Sequence, residues 1–230
     1  METTASLAPA SPPGRRPWAA PVFWWPATML ALATAAFFPT YFARFPGFEG
    51  TTAKVHFHVA TMLAWIALTV AQPILIYRRQ VELHRRIGQL AYALLPLVAV
   101  GFWLVMKDGQ LRRKEPELIL ATAFDAFFYF FLVGMGLICR RRRAYHGPFM
   151  MLSLVPFLNP TLGRLISPAV SVPVELLVLV TVLVIARKRR REVRPYAVAL
   201  TAFVGSLALL VVVMVALPTM ADRLWQILFG

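Results

Sequence analysis

Charge is scarce in this sequence, and most of it has one sign. Of 230 residues, 15% are charged and 59% are apolar, a composition that excludes a soluble globular domain. There are 24 Lys and Arg residues against 10 Asp and Glu residues. The arginines occur in short runs between apolar stretches, so we interpret them as topology signals and as contacts with anionic lipid headgroups. We therefore expect a surrounding lipid bilayer and no nucleic-acid partner.

Cysteine is almost absent, because Cys139 is the only one. A single cysteine excludes an internal disulfide and a metal site built from several thiolates. The sequence also lacks a nucleophile elbow and a glycine-rich phosphate loop, which mark many soluble enzymes. Its 4 histidines are too few for a membrane desaturase or hydroxylase with a di-iron centre. These absences leave open whether the protein is an enzyme.

Long apolar runs between the charge clusters predict an all-α fold, a polytopic bundle of seven transmembrane helices. Residues 1–20 are expected to form a disordered cytoplasmic tail, and residues 21–230 a single transmembrane domain. Prolines concentrate in the fifth and sixth helices and predict that one of them is kinked or broken. The predicted helices are Pro21–Phe42, Val55–Tyr77, Ile87–Met106, Leu118–Cys139, Phe149–Ile166, Ala169–Ala186 and Tyr196–Pro218.

The distribution of Lys and Arg predicts the orientation of this bundle. With seven crossings, two thirds of the 24 basic residues fall on the side of the N-terminus. Because Lys and Arg accumulate in short cytoplasmic loops, we expect the N-terminus inside and the C-terminus outside. The pattern is typical of a multi-pass protein of the bacterial inner (cytoplasmic) membrane.

A polar stripe runs along the second predicted helix. Spacings of three and four residues place its members on one face, which should look into the bundle. His56 lies on a different face from His58, because two residues turn a helix by about 200°. His58 is therefore the better candidate for a ligand. The stripe consists of His58, Thr61, Trp65, Thr69 and Gln72.

Ionisable side chains within the hydrocarbon layer are costly and usually functional. In the predicted topology His58, Asp125 and Glu175 fall in the outer half of the bundle, and we predict that they hold a metal ion. The alternatives are a proton path, or a structural role in which Arg164 pairs with a carboxylate and joins two helices. The remaining members of the predicted polar pocket are His56, Gln72, Asn159 and Arg164.

Two further histidines precede the third and fifth predicted helices on the cytoplasmic side. His84 begins the segment His-Arg-Arg-Ile-Gly, and His146 lies in Tyr-His-Gly-Pro. Because they share one depth on different helices, they are candidates for the axial ligands of one b-type haem. The alternative places both rings among lipid headgroups without a ligand. His56 and His58 share one helix, so neither is expected in a bis-histidine pair.

These motifs form a pattern that spans nearly the whole chain. Its members are Phe38-Pro39-Thr40-Tyr41-Phe42, His56-Phe57-His58, Trp65, Gln72-Pro73, His84-Arg85-Arg86-Ile87-Gly88, Asp125, His146 with Met150, Arg164 and Glu175. The pattern resembles an uncharacterised family of bacterial seven-helix membrane proteins with His-x-His, His-Arg-x-x-Gly and His-x-x-x-Met elements. The His-Arg-x-x-Gly element is also loosely similar to cytochrome b561-like membrane proteins, which implies haem binding.

Three functions follow from the sequence. The first is a metal- or haem-binding membrane protein with a redox role. The second is a small proton-coupled transporter that uses Asp125 and Glu175 together with the proline-rich helices. The third is a structural or assembly subunit of a larger membrane complex, with other membrane proteins as partners.

Overall fold

The computed structural model describes residues 19–113, 117–216 and 219–229, and the regular elements of that part of the chain are all helical. Most of the predicted N-terminal tail, residues 1–18, lies outside the described residues. The α-helices in chain order are α1 (Ala19–Phe37), α2 (Ala53–Tyr77), α3 (Val81–Gly88), α4 (Leu90–Arg113), α5 (Glu117–Ile138), α6 (Arg143–Leu152), α7 (Leu158–Leu165), α8 (Pro168–Lys188), α9 (Arg194–Ala216) and α10 (Met220–Phe229).

Within the described residues, 4 helical segments are long and apolar enough to cross a membrane. They are α2, the segment Val81–Asp108 that includes α3, α8 and α9. The apolar part of α5 is shorter and covers Thr122–Ile138. A hydrocarbon core of about 30 Å needs about 20 apolar residues per helix. An all-α membrane protein is therefore confirmed, while the number of seven crossings stays a prediction.

The fifth predicted helix is broken in its middle. Helix α6 ends at Leu152, a 3-10 turn covers Val155–Phe157, and α7 begins at Leu158. Pro156 lies within that turn, and a proline has no N–H with which to continue the helical hydrogen bonds. By contrast, α8 remains one helix although it contains Pro173. The expected break is thus confirmed and lies in the fifth helix.

Several helix bounds differ from the sequence prediction, since α1 ends at Phe37 and not at Phe42, and α4 continues to Arg113 and not only to Met106. Two further differences add helical structure. The third predicted helix began at Ile87, but helical structure already starts at Val81 and is interrupted at Gln89. His84 consequently lies on a helix of its own, α3, and not in a loop. The second difference is α10, which follows the last predicted crossing and packs against α5 and α9. Its alternating apolar and polar residues gave no run long enough to suggest a crossing.

Helices α2 and α4 pack against each other, and Gly101 on α4 permits their close approach. A Cβ atom at Gly101 would lie 3.0 Å from Oγ1 of Thr61 and 3.2 Å from Cα of His58. Small residues at such points let membrane helices pack closely without a hydrophobic driving force between them. The approach fixes the part of α2 that carries His58.

Two apolar clusters join the helices of the bundle. One lies between α2, α4 and α5 and includes Trp65, Val98 and Tyr129, all buried. The other joins α1, α5, α6, α8 and α9 around Phe128 and Phe203. A hydrogen bond from Nε1 of Trp25 on α1 to the carbonyl of Met151 on α6, 2.9 Å long, adds to the second cluster.

Candidate functional site

The rings of His84 on α3 and His146 on α6 are in edge-type contact. Their ring centroids are 6.4 Å apart, and the ring planes meet at 81°. Both side chains are half-buried. Helix α3 packs on α2 and α4, whereas α6 packs on α5 and α9, so separate parts of the bundle bring the rings together. The structure therefore brings together the two histidines that share one depth in the predicted topology.

A hydrogen bond to α5 fixes the His146 ring. Nδ1 of His146 lies 2.8 Å from the carbonyl oxygen of Gly136. A carbonyl oxygen can only accept, so Nδ1 donates, and a neutral ring then keeps its lone pair on Nε2. Histidines that bind metals commonly use this arrangement, with the second nitrogen donating to a carbonyl or carboxylate. His146 therefore presents Nε2 as a possible ligand atom.

The His84 ring has a nitrogen without a protein partner. Its Nδ1 atom is buried and makes no hydrogen bond within the described part of the chain. The ring also interacts with the main chain of Gln72 on α2. Buried polar atoms are nearly always hydrogen-bonded, so a buried imidazole nitrogen with no partner indicates a position for a ligand or a water molecule.

Gly136 brings α6 close to α5 beside the histidine pair. A Cβ atom at Gly136 would lie 2.6 Å from the sulfur of Met150. Met150 follows His146 by four residues and shares its face of α6. One glycine therefore sets both the helix separation and the carbonyl that orients His146. His146 and Met150 were expected from the sequence and Gly136 was not, although small residues at helix contacts are a recognisable signal.

Arginine side chains surround the histidine pair. Arg85 and Arg86 follow His84 on α3, and the connection from α5 to α6 contains Arg140 to Arg143, all exposed. Arg86 also forms an exposed salt bridge with Glu82, with an Nε to Oε1 distance of 3.1 Å. This end of the bundle is strongly basic and suits carboxylate or phosphate groups.

A second polar cluster joins α5, α7 and α8. Nδ2 of Asn159 donates to Oδ2 of Asp125 over 2.7 Å, and Oγ of Ser171 donates to the carbonyl of Asn159 over 3.3 Å. Glu175 is 0% exposed, and its carboxylate interacts electrostatically with that of Asp125. The structure thus brings Asp125, Asn159 and Glu175 together. Ser171 was not a predicted site residue, but its position one helical turn before Glu175 was a usable signal.

The His58 side chain packs against α4 and does not join Asp125 and Glu175. Its ring meets Phe102 of α4 edge-on, with centroids 5.4 Å apart, and it interacts electrostatically with Arg164. In the described ranges, no three His, Cys, Asp or Glu side chains are grouped so as to hold a metal ion. The predicted metal site of His58, Asp125 and Glu175 is therefore not assembled, because α2 turns His58 toward α4 while α5 and α8 hold the carboxylates.

Arg164 lies at the C-terminal end of α7 and is exposed. Its Nη1 donates to the carbonyl of Pro160 over 2.9 Å. The guanidinium carbon lies 4.2 Å from the centroid of the Phe37 ring, a cation–π contact with the end of α1. The partner of Asp125 in the structure is Asn159 and not Arg164, in contrast to the ion pair considered from the sequence.

The other two predicted pocket residues occupy separate places. Nδ1 of His56 is hydrogen-bonded to the Tyr41 hydroxyl over 2.9 Å, and the His56 ring packs on Phe48. Gln72 lies against Gly88, at the other end of α2, and its Nε2 atom is buried without a hydrogen-bond partner among the described residues. Gln72 thus belongs to the surroundings of His84. The predicted single pocket is divided, since α2 is long enough to carry its polar residues to both ends of the bundle.

The two candidate sites therefore lie on different helices and have different chemistry. The first offers imidazole nitrogens in a basic region, and the second offers carboxylate oxygens in an apolar one. Comparison with protein-family models, with curated proteins and with solved structures finds no match for this chain.

Proposed function

We propose that this chain is a multi-pass membrane protein with a redox role that binds one b-type haem through His84 and His146. The observation that carries the proposal is the pair of imidazole rings in contact, with centroids 6.4 Å apart. Two imidazoles on opposite sides of one metal have ring centres about 6 Å apart, because each metal–nitrogen bond is about 2 Å and each ring centre lies about 1 Å further back. The distance in the structure fits such a pair.

The groups around the two rings also fit a haem. His146 has its Nδ1 committed to a carbonyl, and His84 has a buried nitrogen without a partner. Haem carries two carboxylates, and the exposed arginines beside the pair can pair with them. The loose similarity of the His-Arg-x-x-Gly element to cytochrome b561-like proteins points in the same direction. Bound haem would supply one-electron transfer, with its potential set by the axial ligands and their surroundings.

We further propose seven crossings, with the N-terminus in the cytoplasm, and a location in the bacterial inner membrane. The excess of Lys and Arg at the ends of α2, α5 and α8 supports this orientation. It places the histidine pair on the cytoplasmic side. Periplasmic reporter fusions at Arg141 test the topology, since an active reporter at that position contradicts it.

Absorption spectroscopy of the protein purified in detergent tests the haem. We expect reduced-minus-oxidised bands of a single b-type haem in the wild type. His84→Ala and His146→Ala should each abolish or strongly shift these bands, because each removes one axial ligand. His56→Ala is the matched control, since His56 is a half-buried histidine at the opposite end of α2 and should leave the bands unchanged.

A protein that folds with native helical content but binds no haem when haem is supplied contradicts the proposal. So does a haem that survives both His84→Ala and His146→Ala. Loss of the bands in His56→Ala or His58→Ala alone would place the ligands elsewhere and contradict it as well.

A further inference from the structure

Glu175 carries a carboxylate that is fully buried in the bundle. The side chain is 0% exposed, and neither carboxylate oxygen has a hydrogen-bond partner among the described residues. A carboxylate without partners in an apolar interior is costly, and intramembrane carboxylates commonly mark proton or ion pathways. Glu175 therefore needs a ligand that the described residues do not provide.

Asp125 lies near Glu175, and one of its carboxylate oxygens is also buried without a hydrogen-bond partner among the described residues. Oδ2 of Asp125 accepts from Asn159, but Oδ1 is buried without a partner. The main chain of Asn159 also faces the Glu175 carboxylate. Asn159 thus holds the two carboxyl groups on α5 and α8 beside each other. Both oxygens of Glu175 and Oδ1 of Asp125 are thus buried without a hydrogen-bond partner among the described residues.

Other ionisable groups near the cluster are few. Tyr129 follows Asp125 by one helical turn on α5, and its hydroxyl is buried without a partner in the described part of the chain. Arg164 on α7 and His58 on α2 interact electrostatically with each other. The sequence of α1 contains no ionisable residue, and that of α9 contains only Arg194 and Tyr196 at its beginning, far from Glu175.

We propose that Asp125 and Glu175 together bind a proton and form a proton-exchange site within the membrane. One proton converts a carboxylate into a carboxylic acid (RCOO⁻ + H⁺ → RCOOH), which removes one of two like charges that repel each other strongly in an apolar interior. The new O–H group also donates to the facing carboxylate, so it supplies the donor that the three oxygens lack.

The apolar core closes the cluster on the side toward the C-terminal end of α8. Glu175 lies seven residues after the start of α8 at Pro168, a depth of about 10 Å at 1.5 Å per residue, whereas Asp125 is half-buried. On the other side, Leu179 follows Glu175 by one turn and is 0% exposed within the apolar core. Protons therefore reach the pair from the end where α7 meets α8. The site involves neither His84 nor His146, so it stands whether or not haem binds.

Infrared difference spectroscopy of the full chain in detergent, as a function of pH and in H₂O and D₂O, tests the site. We expect a carboxylic acid C=O stretching band that titrates with pH and shifts in D₂O. Glu175→Gln, which keeps the shape of the side chain, should remove this band. Asp125→Asn should displace it, because it changes the partner of the shared proton.

Glu82→Gln is the control, since Glu82 is an exposed carboxylate on α3 and should leave the band unchanged. Circular dichroism confirms that each variant is folded. The proposal is overturned if the folded wild type shows no titrating carboxylic acid band, or if the band persists unchanged in Glu175→Gln. It is also overturned if NaCl or KCl added at constant pH removes the band, because the carboxylates would then bind a metal cation.

Discussion

The close contact between α5 and α6 predicts a strong difference between two glycines on the same helix. At Gly136, a Cβ atom would lie 2.6 Å from the sulfur and 3.1 Å from Cγ of Met150, whereas at Gly134 no atom lies within 4 Å. Gly134→Ala therefore adds a methyl group to open space. Gly136→Ala must displace Met150 or push α6 away from α5.

The two substitutions are expected to change stability in opposite directions. An alanine in a helix is more favourable than a glycine by about 1 kcal/mol, and Gly134→Ala should gain much of this. Gly136→Ala gains the same helix propensity, but overpacking of the contact with Met150 costs about 1–3 kcal/mol. This cost equals or exceeds the gain. We expect Gly136→Ala to melt at a temperature lower than Gly134→Ala by about 3–10 °C, since roughly 2–4 °C corresponds to 1 kcal/mol in a chain of this size.

Thermal unfolding of both variants in one detergent, followed by circular dichroism, measures this difference. In a double-mutant cycle, Met150→Ala should cost less in the Gly136→Ala background than in the wild type, because the shorter side chain relieves the contact. A Gly136→Ala protein that melts at or above the temperature of Gly134→Ala, with additive effects of Met150→Ala, would refute the contact. The position of His146 would then not depend on the close approach of α5 and α6 at Gly136.

Three further substitutions test individual contacts of the fold by the same thermal assay. Gly101→Ala should lower the melting temperature relative to Gly205→Ala, because only the first lies at a close approach of two helices. Trp25→Phe should destabilise by about 1 kcal/mol, since it loses the hydrogen bond to the carbonyl of Met151. Ser167→Ala should cost about 1 kcal/mol, because the Ser167 side chain caps the first turn of α8. An unchanged melting temperature in any of the three contradicts the corresponding contact.

Helical periodicity was sufficient to predict which face of α2 is buried. Thr61, Trp65 and Thr69 of the predicted stripe are 6%, 0% and 2% exposed. The spacing of residues determines the face of a regular helix, and α2 is continuous from Ala53 to Tyr77. The same reasoning correctly separated His56 from His58. Periodicity within one unbroken helix is local information that the sequence contains directly.

The partners of the polar residues could not be predicted in the same way. A continuous fifth helix, Phe149–Ile166, would have given Met150 and Asn159 a fixed angular relation, but the break after Leu152 rotates α7 independently of α6. The contact between Asn159 and Asp125 spans 34 residues in sequence and depends on that rotation. The depth of a residue in the membrane follows from its distance to the helix end, whereas the neighbour that it meets depends on tertiary packing.

An aromatic layer separates the two candidate sites, and Tyr129 lies at its centre. Its ring packs edge-on against Trp65 and Phe157, with centroid distances of 5.7 Å and 5.6 Å. Because the Tyr129 hydroxyl has no hydrogen-bond partner among the described residues, Tyr129→Phe should keep the packing and remove a buried unsatisfied group that costs about 1–3 kcal/mol. We expect its melting temperature to equal or exceed that of the wild type.

The matched control is Tyr41→Phe, which removes a hydroxyl that does have a partner, Nδ1 of His56 at 2.9 Å. This variant should be destabilised by about 1 kcal/mol. Because the Tyr129 hydroxyl has no partner among the described residues, we also expect protons at Glu175 to have no hydrogen-bonded path through Tyr129 to the histidine pair. If Tyr129→Phe instead lowers the melting temperature and displaces the carboxylic acid band of Glu175, the hydroxyl is bonded to a water chain. The two sites would then be connected, and the separation inferred from the aromatic layer would be wrong.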